Sequence, residues 1–205
     1  MPVSLRSSRL GLALLTLSCL VVALASWRTA VAPFELAMAH MVHYLDGYRL
    51  PMYAHIIFGP VALALVPLQV WRGSRRRPAL HRWSGRLYVL SILLAALGSL
   101  AMLPAYQGST FTAAGFLTLA LLWIATTGMG LVRALQGRFD DHRIWMLRSA
   151  ALTVAAVTLR LIMFPLMASG QSVLETYEIT AWGSWLINLV AVEAWLAWRD
   201  RWRLA

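Results

Sequence analysis

The 205-residue chain has a single cysteine, no lysine and none of the common catalytic sequence motifs. A lone cysteine excludes an intramolecular disulfide, and Cys19 lies within an apolar stretch, where cysteine behaves as a small hydrophobic residue. The sequence has no glycine-rich phosphate loop, no Gly-x-Ser-x-Gly elbow, no His-Glu-x-x-His motif and no paired-cysteine metal site. The chain therefore carries no sequence signature of these hydrolytic or nucleotide-binding chemistries.

Long polar stretches are also scarce, because 60% of the residues are hydrophobic, against about 45–50% in a typical soluble domain. The excess is concentrated in six runs of about 17–22 residues, the length at which a helix crosses roughly 30 Å of hydrocarbon. The sequence therefore predicts an all-α bundle of six transmembrane helices and leaves too little chain for a soluble domain. The predicted spans are 10–26, 52–71, 87–105, 111–132, 149–169 and 180–198.

The net charge of +10 is carried by arginine, and its distribution predicts how the chain is threaded. Fifteen of the 18 arginines flank the predicted spans on one side, the bias expected of cytoplasmic segments. Both termini are therefore predicted to be cytoplasmic. This clustering argues against nucleic acid as a partner and favours contacts with anionic lipids at the cytoplasmic face. The fifteen are Arg6, Arg9, Arg72, Arg75, Arg76, Arg77, Arg82, Arg86, Arg133, Arg138, Arg143, Arg148, Arg199, Arg201 and Arg203.

The predicted spans divide the chain into four parts. Residues 1–27 form the first transmembrane helix, interpreted as a retained signal anchor because its apolar core is long for a cleavable signal peptide. Residues 28–51 are predicted to be external, with apolar residues at near-helical spacing that indicate a short helix in the outer interface. Residues 52–198 form a five-helix membrane core, and residues 199–205 form a basic cytoplasmic tail.

One motif occurs twice in the chain. His81-Arg82-Trp83-Ser84-Gly85-Arg86 is echoed by His142-Arg143-Ile144-Trp145-Met146-Leu147-Arg148. Both copies are predicted to lie in internal basic loops, at 72–86 and 133–148. Spans two and three would then form one hairpin, and spans four and five a second hairpin in the same orientation. Parallel repeats of this kind occur in transporters, although any duplicated hairpin produces them.

Further polar and small residues accompany this motif along most of the chain. The complete set is His55-x3-Gly59, Gln69, His81-Arg82-x2-Gly85-Arg86-x-Tyr88, His142-Arg143-x-Trp145-Met146-x-Arg148, Thr158-Leu159-Arg160, Asn188 and Glu193. With this set the chain resembles the bacterial membrane proteins grouped as domain of unknown function 2306, from about residue 50 to residue 197. The resemblance implies a multi-span helical protein of the bacterial inner membrane and carries no established activity.

Arg160 lies well inside the fifth predicted span, where a charged side chain is costly and normally faces the bundle interior with a partner. Depths counted from the predicted outer ends of spans five and six place Glu193 within reach of the long Arg160 side chain. The sequence therefore predicts an Arg160–Glu193 ion pair, with Asn188 accepting a further hydrogen bond. Such a pair either locks spans five and six together or forms part of a ligand or proton path.

Three histidines of the resembling set are candidates for cofactor binding. His81 and His142 share one predicted depth at the inner ends of spans three and five, where two imidazoles on neighbouring helices could hold a haem iron axially. The outer side offers His55, and Gly59 one turn later leaves room for a neighbouring helix or a flat ligand. The alternative is that these histidines form hydrogen bonds in the wet interface and hold no cofactor.

Two weaker signals complete the candidate sites. His40 and His43 are three residues apart, a spacing that suits a divalent metal on one helix face, with His55, Glu175 or Glu178 as a third ligand. Four arginines of the repeated motif are expected to contact headgroups or to position the helix ends. They are Arg82, Arg86, Arg143 and Arg148.

Three functions are compatible with this sequence. The first is a membrane redox or ligand-binding protein that holds haem b or a quinone through its histidines. The second is a small proton-coupled transporter with a polar site made of Arg160, Asn188 and Glu193. The third is a non-catalytic membrane accessory protein whose polar residues are structural. Each of the three functions is compatible with a homo-oligomer or with a further protein partner in the membrane.

Overall fold

A computed structural model describes residues 5–204, and for residues 5–8, 30 and 200–204 it describes the backbone alone. The described backbone contains helices and no strand, which confirms the predicted all-α class. Six helices are long and apolar enough to cross a bilayer, as the sequence predicts. They are α1 (Leu5–Ser26), α2 (Arg49–Val70), α3 (Pro78–Met102), α4 (Thr110–Leu135), α5 (Phe139–Ala168) and α6 (Val173–Leu204).

All six helices begin earlier than the apolar runs predict, three of them by seven residues or more. Helix α3 begins at Pro78 instead of residue 87, and α5 begins at Phe139 instead of residue 149. Helix α6 begins at Val173 instead of residue 180. The apolar run marks only what the hydrocarbon covers, whereas backbone hydrogen bonding continues into the polar interface. Proline suits a first helical position, and Asp140 and Asp141 complement the positive end of α5.

The early helix starts correct the placement of the repeated motif. The two copies were predicted to lie in basic loops, but both lie on helices, within the first three turns of α3 and of α5. The connections before them are short, residues 71–77 and 136–138. The motif side chains are therefore held on rigid backbone.

The chain divides into two compact units, of which the first ends at Met102. In the first unit, α2 and α3 form an antiparallel hairpin, and α1 packs mainly against α2. The two helices are in close contact at Gly98, where a Cβ atom would lie 2.4 Å from the Pro51 carbonyl oxygen and 3.2 Å from the Ala54 Cβ. Small residues at such contacts let helix backbones approach closely. Large side chains buried in this unit are Met52, Ile56, Leu63, Val66, Tyr88 and Ile92.

The segment between α1 and α2 is broken into short pieces, which corrects the single interfacial helix predicted there. It consists of 3-10 turns at Trp27–Ala30 and Ala39–Leu45 and one helical turn at Phe34–Ala37. Pro33, which has no N–H to continue a helix, separates the turn at Trp27–Ala30 from the turn at Phe34–Ala37. The Arg28 Nε atom donates a hydrogen bond to the Ala37 carbonyl oxygen at 2.6 Å, which folds the segment back on itself.

The second unit begins at Leu103, and in it α5 packs against both α4 and α6. Buried polar side chains link α4 to α5: the hydroxyl oxygens of Thr127 and Ser149 are 2.7 Å apart, and Trp123 Nε1 donates to Thr153 Oγ1 at 2.9 Å. Hydrogen bonds of this kind stabilise membrane helix pairs by about 0.6 kcal/mol on average. The polar residues of this interface therefore have a structural role.

Candidate functional site

His55 lies in the second turn of α2 and forms a hydrogen bond across the first hairpin. Its Nδ1 atom is 3.0 Å from the carbonyl oxygen of Ala95 on α3. A carbonyl oxygen can only accept, so Nδ1 must carry the proton, and in the neutral ring the lone pair then resides on Nε2. One turn later, a Cβ atom placed on Gly59 would meet no atom within 4 Å. The space that the sequence predicts beside Gly59 is therefore present.

His142 forms the same kind of hydrogen bond in the second hairpin. Its Nδ1 atom is 2.8 Å from the carbonyl oxygen of Gly130 on α4, so Nδ1 again carries the proton. Gly130 cannot be replaced without movement, since a Cβ there would lie 2.6 Å from the Met146 sulfur. His142 and Met146 are one turn apart on α5, and both pack on this glycine. The contact fixes the ring and its tautomer together.

His81 is the fourth residue of α3, and His142 is the fourth residue of α5. The sequence repeat is therefore also a repeat of helix position. Next to His81, the Gln69 Nε2 atom donates to Ser84 Oγ at 2.9 Å and joins the two helices of the first hairpin. Ala95, which binds His55, is fourteen residues beyond His81, or about 21 Å along the helix. His55 and His81 are thus too far apart to hold one iron.

A cation-π pair occurs in both copies of the motif. The Arg86 guanidinium carbon lies 4.8 Å from the Trp83 ring centroid, and that of Arg148 lies 4.7 Å from the Trp145 ring centroid. In each pair the arginine follows the tryptophan by three residues, which places both side chains on one helix face. The spacing from histidine to tryptophan differs between the copies, but the tryptophan–arginine unit is the same in both.

Glu193 on α6 forms its ion pair with Arg148 on α5, so the predicted Arg160–Glu193 pair is wrong. Arg148 Nε is 2.6 Å from Glu193 Oε1, and Arg148 Nη2 is 2.9 Å from Oε2, which makes the pair bidentate. Helix α6 begins at Val173, seven residues before its predicted start, so Glu193 is about 30 Å from the outer end of the helix and not about 20 Å as predicted. Arg160 is twelve residues, or about 18 Å, from Arg148 along α5, which is beyond the reach of its side chain.

Arg160 and Asn188 have other contacts. Arg160 Nη1 donates to the Ala156 carbonyl oxygen of its own helix at 2.9 Å. The Asn188 side chain joins α6 to α5: its oxygen accepts from Thr158 Oγ1 at 2.9 Å, and its nitrogen donates to the Ala151 carbonyl oxygen at 3.1 Å. The Glu193 carboxylate, which the transporter hypothesis assigns to Arg160, is bound to Arg148.

Of the four arginines assigned to headgroups, Arg82, Arg86 and Arg143 are exposed, whereas Arg148 is half-buried and binds Glu193. Sequence reasoning missed this role of Arg148. The apolar runs provide no signal for it, because the predicted start of span six at residue 180 places Glu193 only thirteen residues from that end. In the structure α6 begins at Val173, so Arg148 lies twenty residues before Ala168 and Glu193 twenty after Val173. Both are therefore about 30 Å from the 169–172 turn.

His40 and His43 lie on the 3-10 segment Ala39–Leu45, in which residues three apart eclipse one another. The His43 ring stacks on Tyr44, with centroids 4.0 Å apart. Among the side chains that the structure describes, no three of histidine, cysteine, aspartate or glutamate are grouped so that they could hold a metal ion. The predicted His40–His43 metal site therefore gains no third ligand from the described residues.

Six membrane-length helices, with helical hairpins that carry a repeated motif, define an all-α multi-pass membrane protein. Residues 52–196 match the family described as "Predicted membrane protein (DUF2306)", and because this match covers most of the chain, the protein belongs to that family. No curated protein and no solved structure matches the chain. The family description names a membrane protein and no activity, so a function has to be argued from the site itself.

Proposed function

We propose that the protein is a redox protein of the bacterial inner membrane, with both termini cytoplasmic, that holds haem b or a quinone beside its histidines. One observation carries this proposal: His55 and His142 each donate their Nδ1 proton to a backbone carbonyl oxygen of the neighbouring helix. Histidines that bind metals usually have their second ring nitrogen engaged in this way, which fixes the ring and raises its basicity.

The residues fit such a group. With Nδ1 engaged, the Nε2 lone pair of each ring would be the atom that holds a haem iron or accepts a hydrogen bond from a quinol hydroxyl. The open space at Gly59 beside His55 suits a flat ring system. When bound, a haem or a quinone would supply electron transfer, and the chain would supply the ligands, the orientation and an apolar surround.

His55 and His81 belong to separate sites in this proposal, because about 21 Å of α3 separates the His55 contact from His81. His81 in the first hairpin and His142 in the second, which occupy equivalent positions, are each a candidate within their own unit at the cytoplasmic side. His55 is the candidate at the opposite side, where α2 begins.

The first test is an ultraviolet–visible spectrum of the detergent-purified protein, oxidised and then reduced with dithionite. Haem b is expected to give a sharp Soret band and, after reduction, α and β bands. Protein made with adequate haem supply that shows a flat spectrum would exclude the haem form. Quinone extracted from the purified protein then becomes the deciding measurement, and its absence from that extract would reject the proposal.

Two substitutions of His142 separate cofactor binding from a structural role. In His142→Asn the side-chain nitrogen can occupy the Nδ1 position and keep the bond to Gly130, but the Nε2 position is lost. In His142→Gln the Nε2 position is retained and the Gly130 bond is lost. We expect the asparagine variant to fold normally without its cofactor, and the glutamine variant to lose about 1 kcal/mol of stability.

The competing interpretation is a non-catalytic accessory protein, and the same hydrogen bonds favour it, since each ties one helix to its neighbour. A purified protein without haem or quinone, in which His142→Asn behaves as wild type and His142→Gln is destabilised, would support that interpretation. Thermal unfolding in detergent, followed by circular dichroism, measures the difference.

A further inference from the structure

The two copies of the tryptophan–arginine pair differ in what their guanidinium groups bind. In the second unit, Arg148 stacks on Trp145 and binds the Glu193 carboxylate through two hydrogen bonds. In the first unit, Arg86 stacks on Trp83 with nearly the same geometry. Among the described residues, no carboxylate forms an ion pair with Arg86. The repeat therefore presents the same cationic fork without its anion.

The first hairpin also has no acidic residue of its own. The sequence contains no aspartate or glutamate between Asp46 and Asp140, whereas six arginines lie between residues 72 and 86. The second hairpin turn is partly neutralised, because Arg138 forms an ion pair with Asp141. No residue of this hairpin can therefore neutralise the arginines of the first turn.

An exposed apolar strip leads away from Arg86 along α3. Trp83, Arg86, Leu90, Leu93 and Leu97 fall on one helix face, and the three leucines are 42–50% exposed. Helix α6 packs on α5 in the second unit, but in the first unit α1 packs mainly on α2 and leaves this face of α3 open. We call these five residues the α3 strip.

The α3 strip ends in an open apolar groove of about 460 Å³. Its walls come from both helices of the hairpin, and Gly98 keeps them close. The groove begins at Leu94, eight residues or about 12 Å from Arg86, so its near end is within the roughly 15 Å of hydrocarbon in one leaflet, and its far end at Ala101 is about 22 Å from Arg86. The residues that line it include Tyr53, Ala54, Ile57, Leu94, Leu97 and Gly98.

We propose that the α3 strip binds an anionic phospholipid, whose phosphate lies at Arg86 and one of whose acyl chains follows the leucines into the groove. The guanidinium fork matches the phosphate oxygens in the way that Arg148 matches the Glu193 carboxylate. Stacking on Trp83 orients that fork before the lipid arrives, and the leucines supply the apolar surface that a free phosphate would not use. This proposal does not depend on haem or quinone binding.

The test compares phosphatidylglycerol with phosphatidylcholine of the same acyl chains, added to the full chain in detergent, with the thermal unfolding midpoint as readout. Phosphatidylglycerol is expected to raise the midpoint at lower concentration. Arg86→Gln should weaken its apparent affinity about five-fold. Arg49→Gln, which removes the same charge from an exposed site at the opposite end of the same hairpin, is the matched control and should leave the affinity unchanged.

Further arms separate the alternatives. Leu93→Ala should weaken binding of long-chain phosphatidylglycerol and leave the short-chain form unaffected. If inorganic phosphate raises the unfolding midpoint as much as phosphatidylglycerol does, Arg86 binds a soluble anion and the proposal is overturned. An equal response to the two lipids would also overturn the proposal. It would indicate that Arg86 binds an acidic helix of a partner protein.

If Arg86→Gln does not fold, Arg86→Lys serves instead. It keeps the charge but loses the planar fork and the stacking on Trp83, so an affinity between wild type and the expected glutamine value supports the proposal. An Arg86→Lys affinity equal to that of wild type would contradict the bidentate contact.

Discussion

At the scale of single residues, the same side-chain type has different roles according to its neighbours. Arg148 and Arg86 both stack on a tryptophan, but only Arg148 meets a carboxylate. Arg160, although deepest in the apolar run, binds a carbonyl oxygen of its own helix. Charge and the predicted depth alone therefore did not identify the ion pair; it depends on the start of α6 at Val173, which sets Glu193 level with Arg148.

Arg148→Gln should destabilise the protein, because it leaves the Glu193 carboxylate without its bidentate partner. We expect a loss of about 1–3 kcal/mol in the free energy of unfolding, the range for hydrogen bonds to charged groups. The Glu193 side chain is 45% exposed, which favours the lower part of that range.

The double variant Arg148→Gln with Glu193→Gln should recover part of this loss, since neither charge is then left alone. Unfolding by sodium dodecyl sulfate in mixed micelles gives the coupling free energy from the full cycle. A coupling indistinguishable from zero would show that the pair contributes nothing to stability.

At the scale of helices, glycine contacts and histidine hydrogen bonds define how each hairpin closes. Gly98 lets the backbones of α2 and α3 approach closely, and Gly130 on α4 leaves room for the Met146 side chain of α5. A histidine binds a carbonyl oxygen close to each glycine. The sequence predicted the helices and their order but not these contacts, because facing pairs depend on how two helices rotate against each other.

Gly98→Ala should open the first hairpin, because the new methyl group would lie 2.4 Å from a backbone oxygen that cannot move aside. Overpacking of this kind costs about 1–3 kcal/mol. Gly128→Ala on α4 is the matched control, since nothing lies within 4 Å of its Cβ position and alanine favours the helix. The expected order of thermal midpoints is Gly128→Ala at or above wild type, and Gly98→Ala below it. Equal midpoints for the two variants would contradict the close contact.

At the scale of the whole molecule, the arginine distribution predicts cytoplasmic termini and hairpin turns. In a Cys19→Ala background, a cysteine at Arg76 should react with a membrane-impermeant maleimide only after the membrane is opened. A cysteine at Ser169, in the exposed turn between α5 and α6, should react in intact spheroplasts. The reverse pattern would invert the threading and place the α3 strip at the outer leaflet.

The sequence by itself determined the number of spanning helices, their order and the membrane class, because hydropathy over a helix length is a local property that the bilayer selects. It also identified the repeated motif and the polar residues worth examining. Only the tertiary structure decided that Glu193 binds Arg148, that His55 and His142 donate through Nδ1, and that the α3 strip stays open. These depend on where each helix begins and which face it turns to its neighbour, and both are settled by packing between residues far apart in the chain.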